Sequence, residues 1–401
     1  MRFFAAGSAL TASLLSSPIA SALTTPPELF SPLVASKVLA TAKSVRNTFP
    51  QYTDTSAGNW QFFNADTWTS GFFPATLYEL NRRKTLCGTR NGVGSADWVN
   101  LGRAWSTGEI PLETHTGVGH DVGFLSFPFV NELEINPTNA TAITAVNNFA
   151  KQLAGRFNPV VGCTRSWDSA NPDFQVIIDN MMNLEVLFVS AQLTGNLTLR
   201  DIAISHADKT LVNHIRPDGG TWHVLHYNSN TGAVTSKVTS QGFSDNSTWS
   251  RGQAWAIFGF ANMYKRTGYS RYLDTARRLA TYFVSHIPAD GIVPWDFNAP
   301  MTPPPRPADS SAATLATNAL ILLAQQETKV GNSTGAAFWL DSASQILGNI
   351  TQLAWRPSWQ SLLSNGTVNR PAGNSLTGIV YGDYYFIRAG NELKSMGLVS
   401  C

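Results

Sequence analysis

The chain is short of charge. Asp, Glu, Lys and Arg make up only 13% of its 401 residues, and 28 basic against 26 acidic side chains leave a formal net charge of +2. No basic patch of the kind that follows a phosphate backbone is present, which excludes nucleic acid as a bulk-charge partner. The basic residues are scattered, and no polybasic cluster exists to hold a membrane surface. Past the first two dozen positions no apolar run reaches about 18 residues, so no membrane span is expected. Cysteine is scarce as well. Cys87, Cys163 and Cys401 permit one disulfide and leave one thiol over, with three pairings open. None has a histidine close by in sequence, which argues against a nucleophilic thiol.

Common chemical motifs are missing too. There is no H-E-x-x-H, no cysteine cluster, no G-x-S-x-G elbow and no P-loop. Gly117-Val118-Gly119 is too short and too far from a strand–helix unit to read as a dinucleotide fingerprint. His223 and His226, three apart in a strand, fall on opposite faces and make a poor metal pair. No cofactor and no metal are expected.

The first 22 residues have the pattern of a secretory signal: Arg2, a small and apolar stretch over 3–19, then Ala20-Ser21-Ala22 as a cleavage site. Six N-x-S/T sequons, at Asn139, Asn196, Asn246, Asn332, Asn349 and Asn365, agree with export. A secreted, extracellular glycoprotein is expected. No low-complexity linker divides the rest, so residues 23–401 read as a single domain.

The main organising signal is an irregular repeat. Six segments begin at a polar or glycine-containing turn, pass through aromatics and run into an apolar helix. They are Trp68-Thr69-Ser70-Gly71-Phe72-Phe73, His120-Asp121-Val122-Gly123-Phe124, Ile178-Asp179-Asn180-Met181, Trp249-Ser250-Arg251-Gly252, Asp309-Ser310-Ser311-Ala312 and Tyr381-Gly382-Asp383-Tyr384. Their spacing, roughly 50 to 75 residues, is that of one helical hairpin with its loops. Between them lie amphipathic stretches at 33–46, 97–106, 140–156, 199–215, 272–286 and 336–354. In 272–286 the apolar residues Leu273, Ala276, Ala280, Phe283 and Val284 follow a 3.6-residue period. Six buried helices alternating with six amphipathic ones predict an all-α (α/α)6 toroid of the six-hairpin type, with a few short strands in its loops. One strand is expected over 219–227, before an Asn230-Thr231-Gly232 turn, and Thr302-Pro303-Pro304-Pro305-Arg306-Pro307 reads as an extended loop.

In such a ring the polar starts of the inner helices converge at one mouth. Asp121 and Asp179 each head an apolar helix, where a charge is costly unless hydrogen-bonded or used. One innocent explanation is capping of backbone N–H groups. Two carboxylates facing one cavity would instead raise each other's pKa and keep a general acid protonated near neutrality. Trp68, Phe72, Trp222, Trp249 and Trp255 offer ring faces or core packing, with Trp68 and Trp249 the best placed for stacking. Arg251 offers bidentate pairing to a substrate carboxylate, or an ion pair with an inner-helix aspartate. Carboxylates, an arginine and tryptophans in a charge-poor chain suggest a site for a sugar.

Taken in order, seven segments resemble the unsaturated glucuronyl hydrolases, glycoside hydrolase family 88. They are Trp68-Thr69-Ser70-Gly71-Phe72, His120-Asp121-Val122-Gly123-Phe124, Asp179-Asn180-Met181-Met182-Asn183, Gln241-Gly242-Phe243-Ser244-Asp245, Trp249-Ser250-Arg251-Gly252-Gln253-Ala254-Trp255, Pro294-Trp295-Asp296-Phe297 and Tyr381-Gly382-Asp383-Tyr384-Tyr385. The likeness runs from about Trp60 to Ala389. It implies the (α/α)6 toroid and a substrate with a 4,5-unsaturated uronic acid at the non-reducing end of a lyase-generated oligosaccharide. It also implies hydration of the enol-ether double bond, so carboxylate spacing does not decide between retention and inversion. By resemblance, Asp179 is the general acid and base and Asp121 its supporting aspartate. His223, Gln241 and Arg251 are polar binding positions, Trp68, Phe72, His120 and Trp255 form walls, and Tyr384 or Tyr385 closes the pocket.

Departures from the family pattern lie around residues 87–94 and 303–307, both expected to influence the following sugar, and at Asn246, a sequon beside the site. The alternatives are an unsaturated rhamnogalacturonyl hydrolase acting on pectin fragments, a non-catalytic sugar-binding toroid, and a conventional inverting glycosidase. A monomer or weak dimer is expected.

Overall fold

The computed structural model describes residues 23–44 and 47–401; the expected signal at 1–22 lies outside them. In chain order the helices are α1 (Pro32–Ser44), α2 (Phe72–Cys87), α3 (Trp98–Ser106), α4 (Val122–Leu125), α5 (Phe127–Ile135), α6 (Ala140–Gly155), α7 (Asn180–Thr194) and α8 (Leu197–Asn213). They continue as α9 (Ser250–Thr267), α10 (Ser270–Ser285), α11 (Ser310–Lys329), α12 (Ser333–Ala354) and α13 (Val380–Ser395). The inner ring is α2, α4–α5, α7, α9, α11 and α13. Each packs on the next, and α13 packs on α2 to close the circle. The remaining helices lie outside, α3 against α2, α6 between α4–α5 and α7, and α10 between α9 and α11. This is the (α/α)6 toroid.

Burial separates the two rings as the periodicity requires. On α11 nearly every side chain from Ser310 to Ala324 is buried, whereas α10 buries one stripe that includes Leu273, Ala276, Leu279, Ala280 and Phe283. Each fully buried Leu, Ile or Phe contributes roughly 1.5–3 kcal/mol, which favours the closed ring over separate hairpins. Small residues set the spacing where inner helices meet. A Cβ on Gly259 of α9 would stand 2.5 Å from Met181 Cβ on α7.

Short strands fill the loops. β1 (Phe49–Thr53) pairs with β2 (Trp60–Phe63), and β3 (Phe157–Asn158) with β4 (Cys163–Thr164). β5 (Asp173–Ile177), β6 (Val224–Asn228) and β7 (Val234–Val238) form one antiparallel sheet with β6 in the middle. The strand expected at 219–227 therefore starts later. Gly219 takes a positive φ of 93° and turns the chain back toward α10, where a Cβ would meet the Arg278 carbonyl at 2.9 Å. Cys87 and Cys401 form the disulfide and Cys163 stays a buried thiol. Cys87 ends α2, so the 87–94 insertion lies at the far end of the toroid from the inner-helix starts. It cannot shape the front mouth directly, contrary to the sequence expectation. Among the described residues no helix is long and apolar enough to cross a membrane.

Candidate active site

Asp121 and Asp179 precede α4 and α7, and the capping explanation fails for both. Neither side chain accepts a bond from its helix start. Asp309, by contrast, caps α11 through Ser311 N and Ala312 N, and Asp97, Asn139, Asn196 and Asn332 cap their own helices. Asp121 lies within the field of Asp179. Burial is the largest influence on Asp121, and the charge on Asp179 adds to it, lifting Asp121 well above the usual carboxylate range; Asn183 and Arg156 pull the other way. Burial also raises Asp179, to about 7, against the opposing pull of the Arg251 cation. Asp179 Oδ1 has no partner within the protein.

Backbone packing holds the pair in place. β5 hands directly to Ile178 and Asp179, and Ile178 N donates to the His223 carbonyl at 3.0 Å, which ties Asp179 to the edge of β6. Asp121 Oδ1 meets His120 Nε2 at 3.2 Å and Asn183 Nδ2, from α7, at 3.5 Å. That approach needs Gly123, because a Cβ there would lie 2.5 Å from Asn183 Cα. Ser166 accepts the His120 N–H. Asp66 accepts from Thr116 Oγ1 and, at 3.1 Å, from Gly117 N, joining the turn before Trp68 to the turn before His120.

Arg251 takes the second of its two sequence readings. It is 1% exposed and pairs with Asp309 at 2.7 Å, and its N–H groups also reach the carbonyls of Thr367 and Val368, both within 2.7 Å. Its guanidinium lies 4.6 Å over Trp249 and 5.4 Å over Tyr381, with Nε unpaired. His223 packs tilted against Trp249, with ring centroids 4.4 Å apart. Its Nδ1 accepts backbone N–H groups of Ser240 and Gln241 at 3.2 and 3.4 Å, which places the ring proton on Nε2. That Nε2–H has no partner within the protein. Burial pushes the imidazole down to about 3, so it stays a neutral donor. Gln241 donates to the Val368 carbonyl at 3.0 Å, and Asp296 anchors the loop that carries it through Phe243 N and Ser247 Oγ. Asn246 is exposed on that loop, and the expected extended loop at 302–307 runs on the same side into Asp309.

The sequence expectation needs correction at three aromatics. Phe72 and Trp255 are 0% and 1% exposed. They belong to an aromatic layer under the site, in which Phe124 packs 5.2 Å from Phe72 and 5.3 Å from Trp255. They support the walls from below. Tyr384 does not close the pocket. Helix α13 already begins at Val380, so Tyr384 lies one turn inside it, and its hydroxyl turns to Arg388 at 3.1 Å in a cavity at the other end of the ring. Tyr385 is wholly buried. The tyrosine at the site is Tyr381, 4.9 Å from Trp68, with its hydroxyl unpaired; burial pushes its pKa up, with Arg251 pulling down and Asp309 and Asp179 adding to the rise. Trp68 itself is half-buried, as a stacking face requires. Trp167, 36% exposed beside Ser166, and Phe243, 49% exposed beside Gln241, are aromatics that the sequence reading did not single out as platforms. Solvent exposure marks them, and neither spacing nor charge carried that signal. Among the described residues no group of three or more His, Cys, Asp or Glu could hold a metal.

A six-hairpin toroid with two uncapped carboxylates, a neutral imidazole donor, the half-buried Trp68 and the exposed Trp167 at one mouth is built for sugar chemistry. The chain is 37% identical over 333 residues to the unsaturated glucuronyl hydrolase of Formosa agariphila, 80% of this chain and 78% of the relative. It is 27% identical over 336 residues to the unsaturated chondroitin disaccharide hydrolase of Streptococcus agalactiae, covering 80% of each. The crystal structure of an unsaturated glucuronyl hydrolase specific for heparin matches with a TM-score of 0.82 and 26% identity, over 93% of this chain and 97% of that one. No protein-family model matches. The chain belongs to the unsaturated glucuronyl hydrolases, family 88 of the glycoside hydrolases.

Proposed function

We propose that the protein removes a 4,5-unsaturated uronic acid from the non-reducing end of lyase-generated oligosaccharides by hydrating its enol-ether double bond. The observation that carries this reading is the uncapped pair, with Asp179 lifted to about 7 by burial, and Asp121 held well above the usual carboxylate range by burial and the neighbouring Asp179 charge. A group near 7 serves as acid and as base at neutral pH. Asp179 gives its proton to C4, which leaves positive charge shared between C5 and the ring oxygen. The carboxylate so formed stabilises that charge and takes a proton from the water that bonds to C5, which restores Asp179. The resulting hemiketal opens by breaking the bond between C5 and the ring oxygen. The hemiacetal left at C1 then releases the next sugar. Burial and the Asp179 charge both favour the protonated form of Asp121, which limits a second charge beside Asp179. His223 Nε2–H and Gln241 orient the uronic acid, and Arg251, paired with Asp309, holds the Thr367 and Val368 carbonyls around them. Trp68 flanks the ring, while His120, buried like Phe72 and Trp255, supports it from behind rather than forming the wall expected from the sequence.

The experiment is a panel of lyase-generated disaccharides from chondroitin, heparin and rhamnogalacturonan, followed by loss of the enol-ether absorbance. Turnover of one of the glycosaminoglycan products is expected. Absence of turnover on every member, or release of sugar from saturated substrates, would refute the proposal. The Cys87–Cys401 disulfide and the exposed sequons at Asn196 and Asn246 support an extracellular, glycosylated protein.

A further inference from the structure

We infer that the far end of the toroid holds a second binding site, for a neutral sugar ring. This does not rest on the reading of the front site. Beneath the aromatic layer the ring interior opens again, toward the C-terminal ends of the inner helices, as a cavity of about 380 Å³. That is the size range of small-molecule pockets. The chain has only 28 basic and 26 acidic side chains, yet four of each line this one cavity.

Part of that charge is already paired. Arg266 pairs with Glu185, and Arg82 meets Glu392 at 2.8 Å. Arg388 is not closed in this way. Its guanidinium meets the Tyr384 hydroxyl at 3.1 Å, comes no nearer than 3.9 Å to Glu392, and stands 5.4 Å over the Phe258 ring. At the rim, Lys265 and Glu134 make no ion pair among the described residues. Deeper in, Asn318 is only 3% exposed. Its amide N–H groups reach the carbonyls of Thr314 and Tyr385, while its Oδ1 has no partner within the protein. Asn131 Oδ1, also lining the cavity, is equally unpaired. Buried acceptors without donors are costly, and native chains rarely keep them without a use.

The balance of charge selects the ligand. An anion drawn to Arg388 would meet Glu79 and Glu134, and a cation drawn to Glu134 would meet Arg388 and Lys265. A hydroxyl both donates and accepts, so a polyhydroxylated neutral ring fits the unpaired acceptors of Asn131 and Asn318 together with the free N–H groups of Arg388. The aromatic layer separates this pocket from Asp121 and Asp179, so its occupant is not the reacting sugar.

The test uses the full-length protein and calorimetric titration with methyl glucoside and N-acetylglucosamine, alongside glucuronate and glucosamine as charged probes. The variants are Arg388→Met, which keeps the apolar stem, and Glu134→Trp, an exposed rim position that blocks the entrance without touching the core. Neutral sugars are expected to bind with millimolar affinity, on the order of that of small polar ligands. Each variant should weaken this binding about tenfold or more while leaving kcat on an unsaturated disaccharide unchanged. Equal binding to wild type and both variants would overturn the proposal. So would tighter binding of a charged probe that both variants weaken, or no binding of the neutral ones.

Discussion

Gly123→Ala is the substitution that most directly tests whether the two aspartates act together. The added Cβ would lie 2.4 Å from Asn183 Oδ1, 2.5 Å from Asn183 Cα and 2.6 Å from Asn183 Cβ. Rotation of the amide relieves the first contact; the other two involve atoms fixed to the helix. Ordinary Cβ contacts begin at 3.4 Å, so α4 and α7 must part by about 0.9 Å. Asp121 lies two residues before Gly123, and Asp179 four before Asn183, so the parting separates the carboxylates themselves. A misplacement of this size costs on the order of 100-fold in rate, and the overpacking about 1–3 kcal/mol in stability. The assay pairs initial rates on an unsaturated disaccharide with thermal melting, so that lost activity is measured on folded protein. Gly348→Ala is the control. It sits within α12, nothing lies within 4 Å of its added Cβ, and it should stabilise by about 0.5–1 kcal/mol with kcat unchanged. A Gly123→Ala enzyme that melts normally and keeps kcat within about threefold would show that the close approach of α4 and α7 is irrelevant to the chemistry.

Asp179→Asn should lower kcat by about 10²–10⁴-fold while raising stability at neutral pH. Burial holds the folded carboxyl near 7, so the unfolded chain ionises first as pH rises past about 4. Wild type therefore loses stability between about pH 4 and 7, on the order of a few kcal/mol; melting both proteins at pH 4 and 7 should show the gap only at 7. Asp309→Asn keeps an oxygen for the α11 cap but leaves Arg251 without its counter-charge, a loss of about 3–5 kcal/mol. Urea unfolding that gives a change below 1 kcal/mol would contradict the buried pair. Cys401→Ser opens the cross-link to Cys87 and should cost about 2–4 kcal/mol. Because Cys87 ends α2 at the far mouth, kcat should not move; a rate loss in folded protein would place that end of the ring in the reaction.

The ring was legible because two periodicities coexist in one chain. Stretches such as 272–286 carry a single apolar stripe, while 312–324 is apolar all round, and only concentric layers accommodate both in alternation. The limits of that reading were set by helix starts. Trp249 and Asp179 do stand at the mouth, because their helices begin at the next residue. The same logic misplaced Tyr384, since α13 begins four residues earlier, at Val380, and one helical turn is enough to carry a side chain through the aromatic layer. The position of Cys87 was missed for a related reason: a spacing between motifs gives the length of a hairpin and says nothing of which mouth its insertion serves. Trp167 and Phe243 lie in loops, where no period assigns a face.

The caps explain why the aspartates could be recognised as unusual without being understood. In sequence, Asp97, Asp121, Asp179 and Asp309 look alike, each just ahead of a helix. In the folded chain Asp97 and Asp309 bond their own first turn. Asp121 and Asp179 forgo those bonds, and burial lifts both above the usual carboxylate range. A helix start normally offers N–H donors that would drag a carboxylate's pKa down. The fold avoids this at Asp121 by a 3₁₀ turn, Gly119–Asp121, and at Asp179 by helical backbone at the cap position, with φ −57° and ψ −29°, where the side chain does not bend back onto the first turn. Withholding the cap is therefore what turns a common helix-start residue into a proton donor, and it depends on local backbone angles that residue identity alone does not fix.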